Sequence, residues 1–345
     1  MTLALSGLKP TGVIHLGNYL GMMRPALQLA ARTDRAALFV ADYHALNTVR
    51  DGGRLASLTL DVAAAFVALG LDHSRDLLYR QSDVPEVLEL ATVLAAVTPK
   101  GLLNRAHAYK AAVAANEAAG RLPDDGVNAG LYTYPVLMAA DILVMDTDLV
   151  PVGGDQAQHV EIARDIAAAF NGRFDAVLKL PDGAIDPDVE TIPGLDGRKM
   201  SKSYGNVIPL FAGIAELRRL VARIRTDSRR PEEPKDPDSC LVYRLLRHFA
   251  TPSETVEMRR RYLGGEIGYR EAKDILVSMI DREVGPARER FGELRPDEQG
   301  LREVLAIGAD RARTRAQHVM EGVRGAIGVG PHPWPPADRS LERSA

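Results

Sequence analysis

"LALSGLKPTGVIHLGNYLG", residues 3–21, reads as an apolar strand, a turn containing glycine, and the start of a helix. In an open parallel sheet, the loop after the first strand faces the ligand crevice. A helix N-terminus there offers free amide groups to anions. Gly17 would let a nucleotide lie on the backbone, and His15 and Asn18 can donate hydrogen bonds to phosphate. Taken alone, the tetrapeptide at 15–18 fits an ordinary helix start better than a nucleotide site.

Around this stretch, short apolar runs alternate with helical patterns, which indicates a parallel sheet covered on both faces. Strands are predicted at residues 2–6, 37–42, 76–82 and 149–154, and helices at residues 17–32, 55–70 and 155–170. Further helices at 86–121 and 130–146 are predicted as additions to this scaffold. The predicted fold class is therefore α/β, a Rossmann-like parallel sheet with helices on both faces.

The chain becomes helical throughout after Asn206, apart from a break of prolines and charges at 227–239. We therefore predict a catalytic domain at 1–207 with a helical insertion around 85–135, and an all-helical domain at 208–330. The proline-rich segment 331–345 is expected to be a flexible tail.

Composition restricts the class of protein. The chain has 345 residues, a formal net charge of −3 and one cysteine, Cys240, which excludes an intrachain disulfide. No apolar run approaches the ~18 residues that span a bilayer, and the N-terminus lacks the basic segment of a secretory signal. We expect a cytoplasmic protein without a membrane anchor. The eight histidines show no zinc-site spacing, so no metal site is predicted.

A second signature is "GLDGRKMSKSYGN", residues 194–206. A loop of lysines and serines is, by itself, most often a solvated turn. Combined with His-Leu-Gly-Asn upstream, it resembles the signature pair of the class I aminoacyl-tRNA synthetases. The resemblance implies that Lys199 and Lys202 hold the pyrophosphate that leaves ATP, and that the glycines let the loop close and reopen.

The predicted helix at 130–146 carries the clue to the substrate. Tyr134, Met138 and Asp141 lie at i, i+4 and i+7 and therefore share one face. An aspartate within an apolar segment is costly to bury without a donor. An arginine partner would satisfy it, and so would an indole, which is flat and apolar with one N–H donor and no acceptor.

The motifs "YPVLMAADIL" (134–143) and "DLVPVGGDQAQH" (148–159) resemble the tryptophanyl-tRNA synthetase family. The resemblance implies catalytic roles for His15, Gly17, Asn18, Lys199 and Lys202. It implies a tryptophan pocket formed by Leu5, Ser6, Gly7, His44, Tyr134, Met138, Asp141, Val150, Val152 and Gln156. It implies ATP contacts from Lys9, Pro10, Thr11, Gly17, Asn18, Gly153, Asp155, Lys199, Met200, Ser201 and Lys202. From the residues alone, plain strand core explains Val150 and Val152 equally well.

The same resemblance implies ATP with Mg²⁺, L-tryptophan and tRNA(Trp) as ligands, and a homodimer with helices near 85–135 at its interface. Arginine-rich stretches at 218–230 and 258–273 fit contacts with an RNA backbone. Many bacterial members carry Phe and Gln where this chain has Leu5 and Lys9. These two departures concern the pocket and leave the reaction class unchanged.

Three alternatives remain open at this point. A tyrosyl-tRNA synthetase is the nearest, although Met138 and the short C-terminal part are unusual for it. A small nucleotidyltransferase with a related first signature would be shorter and lack the helical domain. A non-catalytic paralogue that acts as a binding protein is the third.

Overall fold

A parallel sheet forms the centre of the molecule. The computed structural model describes residues 2–152, 157–185 and 191–330, and within them five parallel strands run in the order β3–β2–β1–β4–β5. The strands are β1 (Leu3–Leu8), β2 (Arg35–Val40), β3 (Leu77–Arg80), β4 (Leu149–Val152) and β5 (Asp182–Ile185). The predicted fold class and the four predicted strands are confirmed. The edge strand β5 was not predicted, because its sequence Asp-Gly-Ala-Ile begins with residues typical of a turn.

Helices connect and cover the strands. In the catalytic half they are α1 (Leu16–Asn18), α2 (Arg24–Ala30), α3 (Asp42–Ala45), α4 (Gly52–Ala68), α5 (Glu86–Ala95), α6 (Lys100–Leu103), α7 (His107–Ala118), α8 (Ala129–Val144) and α9 (Ala157–Arg173). A π-helical turn, Tyr19–Met23, joins α1 to α2. The C-terminal half contains α10 (Ile214–Ala222), α11 (Leu241–Leu246), α12 (Pro252–Gly264), α13 (Tyr269–Leu294) and α14 (Glu298–Ile327).

Two apolar cores lie on opposite faces of the sheet, since side chains alternate along each strand. Leu38 and Leu78 belong to the core that includes most of the C-terminal helices. Phe39 and Tyr79 belong to the other core, which contains α8 and α9. Helix α14 contributes to both, so the predicted division at residue 207 does not separate two independent cores. The domain boundaries themselves stay a prediction, and the segment 331–345 lies outside the described residues.

The proline-rich break at 227–239 is held by a buried lysine. Lys235 is 2% exposed, and its ammonium group donates to the carbonyl oxygens of Arg230, Pro231 and Glu233 at 2.7–2.9 Å. The same group lies 5.5 Å from the ring centre of Tyr269. These contacts satisfy all three donors of the ammonium group, so the break between α10 and α11 is an ordered loop.

Candidate active site

Both signature segments lie near the carboxyl end of β1, where the strand order reverses between β1 and β4. Such a reversal opens a crevice in a parallel sheet. The first signature forms a reciprocal cap at the start of α1. The amide of Asn18 donates to His15 Nδ1 at 3.3 Å, and the amide of His15 donates to Asn18 Oδ1 at 3.2 Å.

This cap fixes the chemical state of His15. Since Nδ1 accepts a hydrogen bond, the ring proton of the neutral imidazole belongs on Nε2. Burial, assisted by the positive charge of Lys202, lowers the pKa of His15 to about 4. At neutral pH, His15 is therefore an uncharged donor through Nε2. The side-chain nitrogen of Asn18, Nδ2, is a second donor.

The second signature contacts the first directly. The amide of Leu16 donates to the carbonyl of Ile208 at 2.9 Å, and the amide of Gly17 donates to Met200 Sδ at 3.2 Å. A Cβ atom at position 17 would lie 2.9 Å from His15 Nδ1, so only glycine fits there. The structure thus brings Gly17 of the first signature against Met200 of the second.

Asn206 organises the second signature from inside. Its side chain is buried; Oδ1 accepts from the amide of Ser201 at 2.8 Å, and Nδ2 donates to Asp196 Oδ1 at 2.7 Å and to the carbonyl of Lys199 at 3.2 Å. A Cβ atom at Gly194 would lie 2.3 Å from Asn206 Nδ2. The loop therefore wraps around one asparagine, a role that its sequence alone did not reveal.

Positive charge gathers beside the first signature. Lys202 Nζ donates to Thr11 Oγ1 at 3.1 Å, and its side chain passes Gly12, whose φ of 139° suits glycine. Burial and the charge of Lys9 lower the pKa of Lys202. Lys9 lies at the solvent-open mouth of the crevice, where partial desolvation lowers its pKa. An anion between these two ammonium groups would relieve their repulsion.

An apolar cavity of about 250 Å³ adjoins this charge cluster. Nine of the predicted site residues line it: Leu5, Ser6, Gly7, Lys9, His44, Tyr134, Met138, Asp141 and Val150. The sequence did not predict the other lining residues, which are Met22, Phe39, Ala41, Ile142, Pro151, His159 and Val160.

Phe39 is the most informative addition. A Cβ atom at Gly7 would lie 2.4 Å from Phe39 Cζ, so glycine on β1 makes room for this ring from β2. Phe39 also stacks on Tyr79, with ring centres 5.7 Å apart. Phe39 therefore supplies an aromatic ring to a cavity whose lining also includes Leu5.

Asp141 forms the polar end of the cavity and is only 2% exposed. Its Oδ2 lies 2.9 Å from His44 Nε2, and both of its oxygens accept from Gln81 Nε2, at 2.8 and 3.0 Å. Burial raises the pKa of Asp141, while the hydrogen bond and charge of His44 and the hydrogen bond of Gln81 oppose that rise. Within the described part of the chain no arginine pairs with this carboxylate, so the arginine alternative is wrong there.

At the opposite end, Tyr134 and His159 meet. The phenol oxygen of Tyr134 lies 3.3 Å from His159 Nε2, and burial raises the pKa of the phenol. The predicted residues Gly153, Asp155 and Gln156 lie outside the described residues. Val152 belongs to β4, next to them.

Fold and crevice together define a class I aminoacyl-tRNA synthetase. The chain matches the family described as tRNA synthetases class I (W and Y) over residues 2–289, and it belongs to that family. This confirms the predicted family and the predicted enzyme class.

Several individual proteins similar to this chain belong to the same family. The chain is 49% identical to the tryptophan–tRNA ligase of Bordetella pertussis over 332 residues, covering 95% of this chain and 73% of that protein. It is 47% identical to the tryptophan–tRNA ligase of Neisseria meningitidis, covering 95% of this chain and 98% of that protein. The crystal structure of tryptophanyl-tRNA synthetase from Campylobacter jejuni, complexed with ADP and tryptophan, is similar with a TM-score of 0.82 and 40% identity, covering 95% of this chain and 100% of that one.

Proposed function

We propose that this chain activates L-tryptophan with ATP, releases pyrophosphate, and transfers the tryptophanyl group to tRNA(Trp). The prediction of a tryptophan–tRNA ligase is confirmed by its curated relatives. The observation that carries the residue assignment is a buried carboxylate, Asp141, at the end of an apolar cavity that opens beside Lys9.

In the first step, a carboxylate oxygen of tryptophan attacks the α-phosphorus of ATP, and the bond from that phosphorus to the pyrophosphate oxygen breaks. Donors that strengthen their contacts as charge moves to the leaving group lower this barrier. His15 Nε2–H and the side-chain Nδ2 of Asn18 would donate to phosphate oxygens, and Lys202 and Lys199 would hold the pyrophosphate. Thr11 already anchors Lys202 at the correct side of the crevice.

The remaining nucleotide contacts follow from position. Lys9, Pro10 and Thr11 form the loop after β1, and Met200 and Ser201 lie across the crevice from it. We assign the adenosine to the surface between these two segments, with the adenosine lying against Gly17. The ADP bound by the Campylobacter jejuni relative supports a nucleotide in this family.

The indole would lie among Leu5, Phe39, Met138 and Val150, with its N–H pointing to Asp141. A thioether against an aromatic ring is favourable. Tyr134 and His159 lie on the side where the polar end of the amino acid would enter. A phenylalanine side chain lacks the N–H and would leave one acceptor position of Asp141 unpaired.

We infer that Mg²⁺ enters this site bound to ATP. Among residues 2–152, 157–185 and 191–330, no three His, Cys, Asp or Glu side chains come together to hold a metal. We therefore assign Mg²⁺ to the phosphate oxygens of ATP, where oxygen ligands and water suit it.

Many arginines in the stretch 258–273 are already paired with carboxylates. Arg259, Arg260 and Arg261 on α12 form ion pairs with acidic neighbours at 2.6–2.9 Å. By contrast, Arg218 and Arg223 on and after α10 are exposed, with no carboxylate at ion-pair distance among the described residues. We assign phosphate contacts of tRNA(Trp) to Arg218 and Arg223, within the stretch 218–230.

We propose a cytoplasmic homodimer. In the helical insertion, where the family resemblance places the interface, Leu88 and Leu122 are 40% and 79% exposed. Separately, none of the described helices is long and apolar enough to cross a membrane.

The test is exchange of labelled pyrophosphate into ATP, measured with tryptophan, with tyrosine and without amino acid, followed by charging of tRNA(Trp). We expect exchange with tryptophan only. Exchange that depends on tyrosine would support the tyrosyl alternative, and no exchange with any amino acid would support a binding protein.

A further inference from the structure

The carboxylate that would select indole is held by a residue outside the cavity. Gln81 begins a short 3-10 turn, Gln81–Asp83, directly after β3. It is 0% exposed and does not line the cavity. Its side-chain oxygen accepts from the amides of Tyr43 and His44 at 3.1 and 3.4 Å. These two bonds fix which end of the amide carries the NH₂ group, so Gln81 can only donate toward Asp141.

Counting lone pairs shows what this arrangement leaves open. An ionised carboxylate offers about four acceptor positions, two on each oxygen. Within the described part of the chain, Oδ2 receives His44 Nε2 and Gln81 Nε2, and Oδ1 receives only Gln81 Nε2. One acceptor position therefore remains on Oδ1, and Asp141 is one of the residues that line the cavity.

We propose that Gln81 is a positioning residue for specificity, which keeps Asp141 an acceptor aimed at a single ring N–H. The inference rests on the proposed tryptophan site and adds a specific cause for its selectivity. A protonated aspartic acid would present an O–H group to the cavity and would no longer reject rings that lack a donor. Because Gln81 donates to both oxygens, it disfavours a proton on either of them.

The experiment compares tryptophan with its benzothienyl analogue, in which sulfur replaces the ring N–H, in pyrophosphate exchange. In Gln81→Met, a residue of similar size removes both donors. We expect kcat/KM for tryptophan to fall roughly 10- to 100-fold, because a buried carboxylate loses its hydrogen bonds. The value for the analogue should change less than about threefold, since the analogue makes no bond to Asp141.

A pH profile gives the second readout. Burial already raises the pKa of Asp141, and loss of the Gln81 donors would raise it further. Tryptophan binding needs the ionised form, so it weakens as pH falls through that pKa. In Gln81→Met, the acid limb of kcat/KM for tryptophan should therefore begin at a higher pH than in the parent protein.

Gln317→Met is the matched control. Gln317 on α14 also donates to a buried carboxylate, at 3.1 Å to Glu86 Oε1, but lies outside the cavity. It should leave the ratio of tryptophan to analogue unchanged. Equal losses for both substrates in Gln81→Met, or no loss for either, would overturn the inference. If the parent protein shows no tryptophan-dependent exchange, the proposed function fails instead.

Discussion

At the scale of single residues, the site depends on polar groups whose protonation the fold has fixed. His15 is kept neutral by burial and by the charge of Lys202, and the Asn18 amide occupies its Nδ1. Asp141 is kept as an acceptor by His44 and Gln81 despite its burial. In both cases the structure prepares a donor or an acceptor before any substrate arrives, which avoids reorganisation during the reaction.

The neutral state of His15 has a consequence for stability. Its pKa is about 4 in the folded protein, against 6.5 for an ordinary histidine. Between pH 6.5 and 4 the unfolded chain therefore binds more protons, so the free energy of unfolding falls as the pH decreases through this range. In His15→Gln this part of the slope should disappear, as measured by urea unfolding at several pH values.

A second variant, His15→Ala, should lose activity, because it removes the Nε2–H donor that a glutamine amide could replace. Removing one donor to a developing negative charge typically costs roughly 10²-fold in kcat, and we expect a loss of about that size in pyrophosphate exchange. His318→Gln and His318→Ala, which replace a histidine whose side chain is 89% exposed, are the controls for the two measurements. A pH slope that persists in His15→Gln would show that another group titrates in this range.

Asp141→Ala separates the two substrates. We expect kcat/KM for tryptophan to fall by about 10³-fold or more, since the indole N–H and the buried donors of His44 and Gln81 lose their acceptor. The KM for ATP should change less than about twofold, because the carboxylate lies at the far side of the cavity from the lysines. Exchange kinetics with each substrate varied in turn measure this. Equal effects on both substrates would remove the specificity assignment.

At the scale of elements, the sequence predicted what depends on local pattern. Asp141 lies on the same face of α8 as Tyr134 and Met138, because their spacing of i, i+4 and i+7 matches the helical repeat. The sequence does not predict the role of Gln81, which lies 60 residues from Asp141 and contacts it only when β3 and α8 come together. The same holds for Phe39. The sequence places it in a predicted strand, but its ring reaches the cavity only because Gly7 on the neighbouring strand has no side chain.

The loop of the second signature is an element whose shape comes from Asn206. In Asn206→Ala, the amide of Ser201 and the carbonyl of Lys199 lose their partner, so the lysines on either side of Met200 are no longer fixed. We expect kcat for pyrophosphate exchange to fall roughly 10- to 100-fold, since misplacement near 1 Å can cost that much. The KM for tryptophan should stay within about twofold.

Asn171→Ala provides the comparison for this loop. Asn171 organises the turn after α9 in the same manner: it donates to the carbonyl of Leu178 at 2.7 Å and accepts from two amides at 3.0 and 3.2 Å. We expect both asparagine variants to lower the free energy of unfolding by similar amounts, because each loses a set of partly buried hydrogen bonds, but Asn171→Ala should leave kcat unchanged. If Asn171→Ala slows exchange as much as Asn206→Ala, the effect is general loosening of the protein and not alignment of the lysines.

At the scale of the whole molecule, α14 joins the C-terminal half to the catalytic sheet. Its first part packs with the core on one face through Leu301 and Leu305. Its second part packs with the core on the other face through Ala309, Ala312 and Met320. Small residues at the crossing let the helix approach the backbone of β3, and this contact ties the C-terminal helices to the central sheet.

Gly308 marks the closest approach, and a substitution there tests this connection. A Cβ atom at position 308 would lie 1.9 Å from the carbonyl oxygen of Leu78, so Gly308→Ala must push α14 away from β3. We expect the free energy of unfolding to fall by roughly 2–3 kcal/mol, the upper range for overpacking against backbone. Gly325→Ala lies on the same helix with nothing within 4 Å of its Cβ, and it should raise that energy by roughly 0.5–1 kcal/mol through helix propensity. Urea unfolding of both variants measures these changes. If Gly325→Ala lowers the free energy of unfolding as much as Gly308→Ala does, alanine is unfavourable throughout α14, and the contact with β3 does not explain the effect at Gly308.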